Sequence, residues 1–308
     1  MAMLLADVGG TNARLAIARN GVIDPSTVTR YRGDDYESFD RVVQTFLTEQ
    51  DNPRLTAVCV AVAGPVSGGE ARLTNRDWDF SAARLARLTD ADTVRLINDL
   101  TALGYATPHL GAEGVSILRS APAHRARNGQ SLVVGAGTGF NVCSVRNLPG
   151  GSITAMEAEE GHTNLPANIA RILADRVGAD QMQTFFSTEE TFAGRGLAAM
   201  HQALHGVEVE RAEAISTGAM QGDPQAEETY QLFTELFGLL LRELSLRFMP
   251  LEGMFLAGSV ARSFAHRTEA LEAAFLAEPY MREITENTPL LLIRDDMAAL
   301  QGCLAAIT

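Results

Sequence analysis

No lysine occurs in the 308-residue sequence; all 25 basic side chains are arginine. That excludes a phosphate loop built on a lysine, a Schiff-base lysine and a Ser–Lys dyad. Cysteine is scarce as well. Cys59, Cys143 and Cys303 lie far apart with no CxxC pair, which argues against a cysteine-rich zinc centre and fits a reducing cytoplasm. No apolar run approaches the roughly 20 residues needed to cross a membrane, and the stretch before Asp7 is too short for a secretion signal. A cytoplasmic chain is therefore expected. Positive charge is outweighed: the formal net charge is −13, which disfavours nucleic acid and anionic membrane as partners. A phosphate-bearing ligand would have to be held by backbone dipoles or a metal ion.

What is present describes an α/β enzyme. Hydrophobic residues make up 46% of the chain, enough for a large core, and 308 residues exceed one ordinary domain. Two domains or lobes are expected. Apolar runs at 3–8 and 14–18, the first ending in Asp-Val-Gly-Gly and the second in Asn20-Gly21, predict two strands joined by a glycine turn, with a further strand near Val22. Residues 36–50 predict a helix whose face carries Phe39, Val42, Val43 and Phe46. Residues 55–62 and 94–97 read as buried strands, and Ser81 as the N-cap of a short helix. A helix begins near Thr101. The pattern then restarts: a strand at 132–134, the glycine turn Gly135-Ala136-Gly137-Thr138-Gly139, and a returning strand at 141–145. Asp223-Pro224 marks a helix start, and that helix runs to Phe248 with Tyr230, Phe233, Phe237, Leu240 and Leu244 on its apolar face. Strands at 254–256 and 290–293 and a helix over 297–307 complete the chain. Strands alternating with helices give the α/β class, and two glycine-turn hairpins in separate halves suggest two related lobes with ligands bound at strand ends.

Four clusters carry chemistry. In Asp7-Val8-Gly9-Gly10-Thr11-Asn12 the glycines let backbone N–H groups approach a phosphate, Thr11 adds a hydroxyl, and Asp7 would hold Mg²⁺ through water. A plain hairpin turn is the competing reading. Gly137, Thr138 and Gly139 form a second phosphate-loop candidate, weak alone and informative as the first loop's partner. Asn98-Asp99 follows a buried strand, where Asp99 would accept a proton from a hydroxyl or cap the next helix; position alone does not choose. Glu159-Glu160-Gly161-His162 would bind sugar hydroxyls or a metal, although a lone histidine is more often structural. Glu189 and Glu190 read by default as exposed acids at a helix start. The remaining histidines receive no role.

Taken together these strings resemble the bacterial glucokinases, the hexokinase branch of the sugar kinase/actin/Hsp70 superfamily. The resemblance runs from residue 4 to about 304. It is most specific at Asp7 to Arg14, Leu73-Thr74-Asn75 with Trp78, Ile97-Asn98-Asp99-Leu100-Thr101-Ala102, the 135–139 turn, and Glu159 with Gly161-His162. It implies a two-lobed actin-like (ribonuclease H-like) fold, with mixed sheets flanked by helices. One lobe would comprise 1–108 plus 294–308 and the other 109–293. It implies ATP-dependent phosphorylation of D-glucose at the 6-hydroxyl with Mg²⁺, in a cytoplasmic homodimer. By motif, Asp99 would be the general base, and Asn98, Glu159, His162 and Glu189 would bind the sugar, with Glu190 the alternative to Glu189. Asp7, Gly9, Gly10, Thr11, Asn12, Gly137, Thr138, Gly139 and Gly258 would hold the nucleotide and its metal.

The chain departs from the family at three places. Phe140-Asn141 follows Gly139 where a further glycine is usual, and Asn141 is expected to tolerate the unusual backbone angles of such a turn. Glu160 replaces a usual glycine between two presumed sugar ligands, which motivates an alternative: a kinase for another hexose or an amino sugar. Gly194-Arg195-Gly196 replaces a proline-containing turn. A third reading is a sugar sensor or repressor, against which count the acidic charge and the lack of an expected DNA-binding module before the first loop; a catalytically weak sugar-sensing actin-like protein is the remaining alternative.

Overall fold

The structure, a computed structural model, describes residues 2–73 and 76–308. The backbone separates into two compact units. One runs through Gly111 and resumes over Asp295–Thr308; the other is Ala112–Arg294.

In the first unit β1 (Ala2–Val8) and β2 (Asn12–Arg19) form the expected hairpin, and β3 (Val22–Ile23) and β4 (Thr29–Arg32) both pair with β2. Helix α1 (Phe39–Glu49) starts three residues later than the apolar pattern suggested, because Ser38 caps it by accepting from the Arg41 N–H. Then come β5 (Leu55–Val62), a small separate sheet of β6 (Val66–Ser67), β7 (Glu70–Arg72) and β8 (Asp79–Ser81), and α2 (Ala82–Thr89) with Ser81 as its cap. Strand β9 (Thr93–Asn98) leads directly into α3 (Asp99–Ala106). The main sheet has the order β3-β2-β1-β5-β9, with β1, β5 and β9 parallel.

The near-continuous apolar runs of β1 and β5 follow from burial on both faces. Leu4, Ala6 and Val8 join a core with Phe39, Val42, Val43 and Phe46 of α1, while Leu5 of the same strand points to the opposite core with Cys59, Ile97 and Ala102.

The second unit opens with β10 (Val115–Arg119), followed by the second glycine hairpin, β11 (Gln130–Ala136) and β12 (Phe140–Asn147), and β13 (Ile153–Glu157). Helices α4 (Ala167–Val177), α5 (Thr188–Phe192), α6 (Gly194–His205) and α7 (Ala212–Met220) precede α8 (Pro224–Phe248). Asp223 caps α8 through the Gln225 and Ala226 amides, and its predicted apolar face is wholly buried. Then follow β14 (Gly253–Ala257), α9 (Ser259–Ser263), α10 (Thr268–Phe275), α11 (Arg282–Asn287) and β15 (Leu290–Ile293). The sheet order is β10-β15-β14-β11-β12-β13.

The two sheets share one plan. Strand β11 pairs antiparallel with β12 on one side and parallel with β14 on the other, and β14 pairs parallel with β15. Strand β1 does the same with β2, β5 and β9.

The last helix, α12 (Ala298–Ala305), belongs to the first unit and packs on α3. The helices approach so closely that a Cβ at Gly302 would fall 1.7 Å from the Ala102 carbonyl oxygen. Any side chain there would force the helix that begins with Asp99 to move.

Candidate active site

In the first unit the predicted residues gather at the C-terminal ends of adjacent parallel strands. The register aligns Val8, Val62 and Asn98 across β1, β5 and β9, which sets the Asp7 turn about two strand spacings, roughly 10 Å, from Asn98. Asp99 is half-buried at the start of α3. Burial pushes its carboxyl up to about 6, with the nearby negative charge of Asp7 adding to the rise. Burial raises Asp7 too, against the opposing pull of Arg14, its cross-strand partner.

The sequence left Asp99 with two possible roles, and the structure gives the capping role to its neighbour. Asn98 is the N-cap, its Oδ1 accepting from the Leu100 N–H at 2.9 Å. Its amide also donates to the Gly64 carbonyl at 3.1 Å. One N–H of the Asn98 amide remains for a ligand. Asp99 Oδ1 shares the Leu100 N–H, and its other oxygen is not needed for the helix start.

The first glycine turn is shaped from behind. The Gly33 N–H donates to the Thr11 carbonyl at 2.8 Å, and Arg76 Nε donates to the Gly10 carbonyl at 3.2 Å. Arg76 itself is held by an ion pair to Asp34 and lies over the Trp78 ring. In a trans peptide the N–H points opposite to the C=O. Anchoring the Gly10 and Thr11 carbonyls therefore turns the N–H groups of Thr11 and Asn12 to the other side, where their dipoles can meet an anion. Of the family-like string at 73–75, Leu73 and the following Trp78 are buried; residues 74 and 75 lie outside the described residues.

The second turn repeats this device. The Gly194 N–H donates to the Gly137 carbonyl at 2.8 Å, and Arg195 donates to the Thr138 carbonyl at 3.0 Å. The N–H groups of Thr138 and Gly139 consequently face the opposite side. Gly258 follows β14, where a Cβ would strike the Ala136 carbonyl oxygen at 2.2 Å; only glycine lets α9 begin against the end of β11. Gly137, Thr138 and Arg195 line one wall of a cavity of about 620 Å³, together with Ser259, Ser263 and Arg211.

The other second-unit residues converge on the same turn. Glu159 accepts from the Asn141 side chain at 3.2 Å and lies 3.1 Å from His162 Nδ1. Glu189 Oε2 accepts from the Phe140 N–H at 2.8 Å. Glu189 and Glu190 are not free surface acids: both are half-buried and bonded to Arg195, and those hydrogen bonds hold the Glu190 carboxyl below its ordinary range.

Two expectations are corrected. Asn141 does not occupy an unusual turn conformation. It sits opposite Gly135 in regular strand pairing, with negative φ. Its side chain instead accepts from the Glu160 N–H at 3.0 Å and pins the sugar-binding candidate loop. Glu160, expected to reshape a sugar pocket, is buried and ion-paired with Arg247 of α8. The sequence reading gave no role to Arg76, Arg195 or Arg247, although it noted Arg195 within the 194–196 departure. Only Arg195 left a local trace, as an arginine five and six residues after paired glutamates.

The donor set suits magnesium. Among the described residues no group of three or more His, Cys, Asp or Glu could enclose a metal. Asp7, with a second carboxylate nearby in Asp99, fits a hard cation that keeps most of its waters.

Two sheets on one plan, each with a glycine turn closing its central hairpin, define the actin-like sugar kinase fold. The glucokinase family model matches residues 4–308. A glucokinase of Cupriavidus pinatubonensis is 31% identical over 317 residues, covering 99% of this chain and 91% of its own. Two solved structures align: glucokinase from an Antarctic psychrotroph (TM-score 0.85, 24% identity, 99% of this chain and 98% of that one), and the Balamuthia mandrillaris glucokinase in complex with glucose (TM-score 0.76, 23% identity, 100% and 94%). The chain belongs to the glucokinase family and is a hexose kinase.

Proposed function

We propose that this enzyme transfers the terminal phosphoryl group of ATP to the 6-hydroxyl of D-glucose, giving glucose 6-phosphate and ADP, with Asp99 as the general base. The observation that carries this reading is the Asp99 carboxyl, raised to about 6 at the C-terminal end of β9. A carboxylate with that affinity for protons is ionised at neutral pH, yet is a better proton acceptor than an ordinary aspartate. It orients the hydroxyl and takes its proton as the oxygen attacks phosphorus.

Asn98, with one free amide N–H, and Glu159, His162 and Glu189 hold the remaining hydroxyls. The Glu159 and Glu189 carboxylates keep lone pairs beyond those used internally. The Thr11, Asn12, Thr138 and Gly139 amides receive phosphate oxygens, so that positioning and fixed dipoles supply most of the catalysis. Mg²⁺, held through water by Asp7, would neutralise phosphate charge when bound. We assign the enzyme to the cytoplasm and to glycolysis, as a homodimer; the scarcity of cysteine, three residues in 308, agrees with a reducing compartment.

Asp99→Asn should lower kcat by about 10³-fold or more while glucose still binds, as read by steady-state kinetics and calorimetry. Activity near that of the unsubstituted enzyme would remove Asp99 as the base. Because the Glu160 carboxylate is committed to Arg247, the motive for another sugar falls away. A panel of hexoses and amino sugars should show glucose with the highest kcat/KM.

A further inference from the structure

Arg195 lies in the Gly194-Arg195-Gly196 segment, and four of the five N–H donors of its guanidinium are engaged on one side of the second glycine turn. Nε donates to Glu190 Oε2 at 2.9 Å, and one terminal nitrogen donates to Glu190 Oε1 at 2.7 Å and to Glu189 Oε1 at 2.6 Å. The other donates to the Thr138 carbonyl at 3.0 Å. The bidentate pair with Glu190 fixes the plane of the fork. That leaves one edge aimed at Glu189 and the other at the turn.

The two groups joined this way have different tasks in the proposed reaction. Glu189 is a hexose ligand, and the Thr138–Gly139 peptide presents an N–H to phosphate. They are also close: a Cβ on Gly139 would lie 2.8 Å from Glu189 Oε2. A phosphate approaching Gly139 therefore meets a carboxylate at short range. The guanidinium offsets that repulsion while fixing both the carboxylate and the peptide plane. In a chain without lysine, a compact point charge is not available for the task, and a point charge would not supply the fork.

We infer that Arg195 is a positioning residue that locks the hexose ligand Glu189 to the phosphate turn at Thr138, so that hexose and nucleotide binding are coupled through one side chain. This rests on the proposed reading of Glu189 and of residues 137–139. Because one guanidinium sets both geometries, a ligand that orders either partner lowers the cost of ordering the other.

The test measures the dissociation constants of glucose and of a non-hydrolysable ATP analogue with Mg²⁺, each alone and in the presence of the other. In the unsubstituted enzyme each ligand should tighten the other by about 5-fold or more. In Arg195→Met the coupling should fall to about 1, and the glucose KM should rise by roughly 10-fold with a smaller loss in kcat. Arg195→Lys keeps the charge without the fork. It should restore nucleotide affinity more than it restores coupling, and it stands in if the methionine variant does not fold.

Coupling that survives in both variants overturns the proposal, as does its absence from the unsubstituted enzyme. A variant that weakens nucleotide equally with and without glucose, leaving glucose affinity intact, also overturns it, because Arg195 would then be a direct nucleotide contact. Glu189→Gln separates the two levels. Unchanged glucose affinity in that variant refutes Glu189 as a sugar ligand, and with it the underlying reading, whatever Arg195 does.

Discussion

The two glycine hairpins are built alike and charged differently. Each has its turn carbonyls held from behind, by Arg76 and Gly33 in the first unit and by Arg195 and Gly194 in the second. Around the first turn the acids Asp7 and Asp99 make no ion pair within 4 Å among the described residues, and burial raises both. Around the second, Glu189 and Glu190 are matched by Arg195 and Glu160 by Arg247, while Glu159 lies 3.1 Å from the His162 ring. Unpaired acids with raised proton affinity are suited to moving protons, whereas paired acids are fixed acceptors suited to recognition. On the proposed reading, one architectural plan serves chemistry in one unit and binding in the other, and the difference lies in where the arginines are.

The pH profile tests the contrast most severely. If the first-unit acid does the chemistry, kcat/KM should fall about tenfold per pH unit below about pH 6 and stay level above it, because only the ionised carboxylate accepts a proton. A profile flat down to pH 4.5 would place the base elsewhere.

The same raised carboxyl has a stability consequence of opposite sense. The folded chain binds the Asp99 proton more tightly than the unfolded chain does. Its contribution to stability is therefore complete below about pH 4 and is lost as pH rises through about 6. Asp99→Asn should accordingly be more stable than the unsubstituted protein at pH 7.5, by on the order of 1–2 kcal/mol, with the gap closing near pH 4. Urea melts at the two pH values read this directly.

The smallest effect tests the paired side. Arg247→Met leaves the buried Glu160 carboxylate without its cation. It should cost about 2 kcal/mol of stability and raise the glucose KM several-fold with kcat nearly intact. Equal losses in kcat and kcat/KM would show that this pair acts on the transition state instead.

Much of the fold was legible because its signals are local. The glycine turns, the doubly buried strands and the capped α8 each announce themselves within a dozen residues. Asp99 was legible as a candidate for the same reason, at the end of a buried strand. The pairings were not. Arg247 reaches Glu160 across 87 positions, and Arg195 reaches the Thr138 carbonyl across 57; nothing at either end marks the other. Asn98 and Asp99 both have cap chemistry, and only the backbone entering α3 decides between them. Asn141 looked like a turn residue because it follows a glycine run, but strand pairing with Gly135 overrode that local preference.

The contact between Gly302 and Ala102 joins positions two hundred apart in the chain. During synthesis the helix bearing the proposed base leaves the ribosome long before the segment that supports it. The whole second unit is made in the interval and has its own core and sheet with which to fold first. At that point in synthesis the second unit has its whole sequence, while the face of α3 that meets Gly302 is still bare. Loss of the final helix by truncation or proteolysis would return the chain to that stage: able to form the second unit, and without the support that holds the acid in place.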